Sequence, residues 1–236
     1  SIVQLANQLE TQFDFQITLI DSAGKTLGNP KNPDKPIPNM NPIERADLLV
    51  LDIHMHTPPQ AQLDLLERYF KSGKPSIGIG TPINTLADDG NWARPYFGGH
   101  YWYQQGNSFE TYALPSMAQH PILRGVPRHE LNEGRPLLSP THFSNSTQPL
   151  VLGRVNEKAP SQTFAWINES KFGSRQFVFA VGSPEHLDLP GNRSLLYNAI
   201  FWTLGREVPP QGVLGLGNGA LHTPTNLPDH PEPPLK

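Results

Sequence analysis

The sequence predicts an α/β domain, a mostly parallel sheet flanked by helices. Two observations carry this. The run Asp47–Ile53 (DLLVLDI) is almost wholly apolar, and Pro75–Gly80 (PSIGIG) follows it across a helical segment. Such runs suit parallel strands buried on both faces, and strand–helix–strand order is the unit of a parallel sheet. The late run Arg175–Val181 (RQFVFAV) and the helical spacing after it repeat the alternation.

In chain order, residues 2–12 read as a short amphipathic helix, with Ile2, Leu5, Ala6 and Leu9 at helical spacing. Phe15–Ile20 (FQITLI) is β-branched and aromatic and predicts a strand. Residues 28–42 carry five prolines and read as a surface loop. The helix after the first buried run is expected from Thr57 as N-cap, through Leu63, Leu66 and Phe70, to Gly73 as its stop. Residues 84–145 are less regular. Leu150–Val155 and Thr163–Ile167 read as strands, and Asn192–Leu204 as a helix. From Pro209 onward periodicity is lost among prolines and glycines. The domain is therefore drawn at 1–208, and 209–236 is an extended arm, either disordered or laid across the body or a neighbouring subunit.

Composition narrows the classes. Proline supplies 26 of 236 residues, about 11% against a usual ~5%, which excludes a coiled coil and a helical bundle. Net charge is −3, so there is no basic footprint for nucleic acid. No run approaches the ~18 apolar residues of a membrane span. There are no cysteines, which removes disulfides, thiolate metal sites and cysteine nucleophiles. A start at Ser1 with no cysteine suggests an exported chain, periplasmic or secreted, with the cytoplasm as the alternative.

The order of DLLVLDIH, LERYFKSGKPSIGIGTPINTL, YFGGHYWY, AQHPILRGVP, FAWINESKFGSRQFVFAVGSPEHL and RSLLYNAIFWTLGREVP resembles the trehalose-utilisation (ThuA-like) family of the glutamine-amidotransferase-like superfamily, over roughly residues 1–209. The resemblance implies a flavodoxin-like sheet. It also implies a first strand before the first helix; the sequence begins inside that helix, and if the strand is missing from the protein a partner chain is one candidate to cover the edge so exposed. In that superfamily the turn after the third strand presents a nucleophile, and a late His-Pro-Glu sequence supplies the base. Here the turn reads Gly78-Ile79-Gly80-Thr81, with Gly80 at the nucleophile position, and the late sequence is Ser183-Pro184-Glu185. A nucleophile without its base, or a base without its nucleophile, loses most covalent catalysis, so amidotransferase chemistry is excluded.

Other residues are candidates for ligand binding. His54 and His56 follow a buried strand, where open α/β sheets bind ligands, and His100 follows a Gly-Gly pair. With Asp52, Glu185 and His186 these could converge on one pocket, and His54, His56 and His100 could hold zinc. Ordinary hydrogen-bonded histidines are the competing reading. Trp92, Tyr101, Trp102 and Tyr103 suit either sugar stacking or plain packing. Asn84 and Arg94 would be polar partners for a hydroxylated ligand. His120-Pro121 reads as a structural turn, and Trp166 and Trp202 as packing residues. Glu130 and Glu133 read as a solvated pair, and GVLGLGNG (212–219) lacks the flanking strand and helix of a dinucleotide site. The expectations are a non-catalytic module acting in assembly, as a homo-oligomer or in a larger complex through 209–236 and the N-terminal edge. The alternative is a carbohydrate-processing enzyme or a sugar-binding protein.

Overall fold

A computed structural model describes residues 2–20, 36–53, 57–80, 92, 94–108, 110–127, 131, 134, 136–141, 143–180 and 184–216, with backbone alone at 100–105, 136–141 and 184–185. Its helices are α1 (Ile2–Phe13), α2 (Gln60–Lys71), a single turn α3 (Arg94–Phe97) and α4 (Pro190–Thr203). Its strands are β1 (Leu49–Asp52), β2 (Ser76–Ile79), β3 (His100–Asn107), β4 (Glu110–Ala113), β5 (Pro136–Thr141), β6 (Thr147–Arg154), β7 (Gln162–Glu169) and β8 (Arg175–Phe179).

The main sheet has the order β1-β2-β8-β7-β6-β4. β1, β2 and β8 are parallel, with Leu51 opposite Gly78 and Gly78 opposite Val178. This is the α/β layout expected from the apolar runs. Beyond β8 the sheet becomes antiparallel through β7, β6 and β4. The flavodoxin-like outline therefore describes only one half of a mixed sheet. Tight turns explain the change of direction. β7 and β8 are joined through Ser170–Ser174, too short for a helical crossover, so they pair antiparallel. A separate antiparallel ribbon joins β3 to β5 within the stretch that sequence read as irregular.

Two apolar layers enclose the sheet. On one face α1 (Leu5, Leu9) and α4 (Leu195, Leu196, Ala199, Ile200) pack on Ile77, Ile79, Phe177 and Phe179. On the other, α2 (Leu63, Leu66, Phe70) and α3 (Tyr96, Phe97) pack on Leu49, Leu51, Val178 and Trp166. β2 is buried along its whole length, as a central parallel strand should be.

Two local expectations change. α2 begins at Gln60 after Pro59, with no side-chain cap, so Thr57 is not its N-cap. Two prolines intervene, and the residue before a proline is driven to extended backbone. Gly73 does end the turn after α2, at φ +76°, with its N–H on the Phe70 carbonyl. Asp14 has a φ of +55° and residues 14–20 join no ladder among the described residues, so the strand predicted at Phe15–Ile20 is corrected. Phe15 and Ile17 instead pack on the α1/α4 core, and the Arg206 guanidinium lies 4.4 Å over the Phe15 ring. β-forming composition reflects a fit to a half-buried surface, which packing against helices also satisfies. Among the described residues no helix is long and apolar enough to cross a membrane.

Candidate functional site

In a parallel sheet the strand ends that point to the same side as the helix starts form the usual ligand edge. Here that edge collects the ends of β1, β2 and β8, the turn Pro184–Asp188 and the first turn of α4. Gly80 is the residue that leaves β2. Its N–H donates to the Phe179 carbonyl at 2.9 Å, extending the ladder by one bond, and its φ of +73° then turns the chain out of the sheet. That backbone conformation favours glycine, and glycine presents no side chain at the turn. Thr81, Asn84, Ser183, His54 and His56 lie outside the described residues. His100 and Tyr101 are placed only as backbone in β3, as Glu185 is in the turn before α4. Among the described residues no three histidine or acidic side chains gather as a metal site.

His186 sits in that turn, 4% exposed. Its carbonyl accepts from Asn192 Nδ2 at 2.8 Å and from the Leu189 N–H, tying the turn to the start of α4. The imidazole is thus inside the protein rather than on an open wall. Arg94 opens α3 and is half-buried, its carbonyl accepting from Gly98. Trp92 is half-buried too. Its ring packs edge-on against Phe70 at 6.1 Å and tilted against Tyr96 at 5.2 Å, an arrangement of core packing. Tyr96 stacks on Phe70 at 4.6 Å and donates its hydroxyl to Glu67, and burial and that neighbouring carboxylate raise its pKa.

Two structural readings hold. Trp166 is fully buried with Nε1 on the Phe97 carbonyl at 2.8 Å. His120 caps the short turn Pro121–Leu123, its Nδ1 accepting from the Ile122 N–H at 3.3 Å, and its ring meets Trp202 edge-on. Burial, helped by Arg124 and Arg175, lowers the His120 pKa to about 4.

One feature of this edge escaped sequence reading. A cleft of about 260 Å³ opens between α1 and α4, lined by Asn7 and Gln8 on one side and Asp188, Arg193, Leu196 and Tyr197 on the other. Tyr197 donates its hydroxyl to Gln8 Oε1 at 2.6 Å across it. These residues are 189 positions apart, so no local spacing could announce them.

The arm begins on the body. Val208 is buried, Val213 and Leu214 pack on the α1/α4 core, and Arg124 donates to the Val208 carbonyl at 2.6 Å. Residues 217–236 lie outside the described residues.

No family model matches the chain, and no curated protein does. Among solved structures the chain is similar to the mmIFT52 N-terminal domain, at 13% identity over 68% of this chain and 78% of that one, TM-score 0.44. It is similar to a ThuA-like protein from Bacteroides uniformis, at 14% identity over 70% and 72%, TM-score 0.48. It is also similar to a cytoplasmic protein from Salmonella typhimurium LT2, at 15% identity over 69% and 71%, TM-score 0.42.

Proposed function

We propose that the chain is a non-catalytic ThuA-like module that acts by binding a partner or assembling into a complex. The observation that carries this reading is Gly80. The residue that leaves β2 has a left-handed backbone and no side chain, so position 80 itself offers no nucleophile. The ThuA-like part of the reading rests on the motif order in the sequence. A partner is favoured by the outer strand of the parallel half. β1 has the apolar character of an interior strand, with Leu49 and Leu51 buried, yet it is the last strand of the sheet among the described residues. Edge strands of this kind recruit further chain.

Native mass spectrometry of the protein isolated from its source tests the proposal. A species well above the 26.2 kDa of one chain, with no turnover of glutamine or of a panel of sugars, is the expected result. A bare monomer that turns over a sugar would replace this reading with the carbohydrate-processing one.

A further inference from the structure

We propose that the outer edge of β1 is a docking site for a strand of another protein, apolar along its middle and carrying lysine or arginine at its ends. The proposal rests on the partner-binding reading above and names the surface and the chemistry of the partner.

β1 has the side chains of an interior strand and the backbone of an open edge. Leu48 and Val50 pack on the layer of α1 and α4, while Leu49, Leu51 and Ile53 pack on the layer of α2 and α3. Both faces are therefore covered. The Leu49 N–H donates to the Pro75 carbonyl at 3.3 Å, and Leu49 lies opposite Ser76 in the parallel register. Successive residues of a strand direct their backbone groups to alternate sides, so the N–H and C=O of the half-buried Val50 face away from β2. Among the described residues no further strand receives them, and residues 15–20 join no ladder. Protein edges are usually guarded against pairing by lysine, proline or a bulge. Leu48–Leu51 contains neither lysine nor proline, and its register with β2 is unbroken. Leaving a peptide group unpaired between two apolar layers is costly, and an added strand satisfies it.

Charge selects the occupant. The only charged residues in 46–53 are Asp47 and Asp52, both exposed, one before β1 and one at its end. A second copy is a poor occupant. Antiparallel pairing of two such edges about Val50 sets each copy's Asp47 beside the other's Asp52, and like charges across a strand pair repel. A strand with basic ends instead meets both carboxylates, and an uncharged middle matches Leu48–Leu51 in length.

The test uses the full chain and the fluorescein-labelled peptide KKVIVTVKK, with EEVIVTVEE and KKVIPTVKK as controls. Binding is read by anisotropy, and its location by hydrogen exchange at the Val50 amide. KKVIVTVKK is expected to slow exchange at Val50 about fivefold or more and to bind about tenfold tighter than either control. Val50→Pro removes the outward N–H without touching the bonds to β2, and should weaken binding about tenfold. Should that variant fail to fold, Asp47→Lys replaces it, weakening KKVIVTVKK about threefold and strengthening EEVIVTVEE. No binding at millimolar peptide overturns the proposal, as does binding that leaves Val50 exchange unchanged. A dimer that protects Val50 without peptide overturns it in favour of self-pairing. A negative peptide result beside a heavier species in native mass spectrometry overturns this interface alone and leaves the partner-binding reading standing.

Discussion

Gly125 and Gln211 meet backbone to backbone: a methyl group on Gly125 would fall on the carbonyl of Gln211, far inside contact distance. Gly212 returns the relationship, since a Cβ there would press on the Arg124 carbonyl at 2.5 Å. Both glycines have positive φ, at +60° and +77°. The start of the arm is thus seated on the turn after Pro121–Leu123 by a fit that only glycine permits. Gly125→Ala should lower stability by about 2–4 kcal/mol, combining overpacking with left-handed strain. A urea midpoint unchanged from the parent would show that the two segments separate freely.

Asn198 holds the same junction from the inside. It is fully buried, donates Nδ2 to the carbonyls of Ile122 and Arg124, and accepts the Val213 N–H on Oδ1. Replacing it with alanine strands three backbone groups and should cost about 2–4 kcal/mol. The Val213 amide should then exchange with solvent much faster than in the parent. Retained protection at Val213 would show that the arm is held without Asn198.

His120 makes stability depend on pH. Its folded pKa of about 4 lies below the ~6.5 of an unfolded histidine, so between those values the unfolded chain binds a proton that the native protein does not. The histidine contribution is therefore complete above about pH 6.5, declines as the pH falls toward 4, and changes no further below that. Protonation would also remove the acceptor for the Ile122 N–H and place a third cation near Arg124 and Arg175. In His120→Gln, the slope of unfolding free energy over this window should be shallower than in the parent. An identical slope would assign the acid sensitivity to other groups.

Gly80→Cys tests whether a nucleophile at this turn suffices for amidotransferase chemistry. The thiol should react with a disulfide reagent, and stability should fall by about 1 kcal/mol because a β-carbon is placed at φ +73°. Glutamine hydrolysis is not expected from this variant, since the sequence at 183–185 is Ser-Pro-Glu and carries no histidine base at position 183. Measurable glutaminase activity would show that another group, His186 among them, serves as base.

What the sequence revealed follows from how local each signal is. The strand–helix–strand unit over residues 47–80 was readable because its apolar runs are continuous and its helix has a clear stop at Gly73. The C-terminal helix was readable from Leu195, Leu196, Ala199 and Ile200. Strand direction beyond β8 was not, because alternation of side chains is the same in parallel and antiparallel strands. β3 and β5 were hidden by Gly106, Pro136 and Pro140, residues that normally mark loops. Phe15–Ile20 carried a strand pattern that tertiary packing put to another use. In the candidate site, Gly80 was legible as the bare turn, whereas the cleft of Asn7, Gln8, Arg193 and Tyr197 was not, because two ends of the chain build it.

The central place of β2 has a consequence for biosynthesis. One of its edges pairs with β8, and Ser76 and Gln176 are separated by 100 residues. At ~5–20 residues per second a ribosome needs roughly 5–20 s to supply that partner. Throughout that interval the nascent chain carries a strand destined for complete burial with an open side. This window, rather than the finished protein, is where holding chaperones would act and where slow translation would favour aggregation.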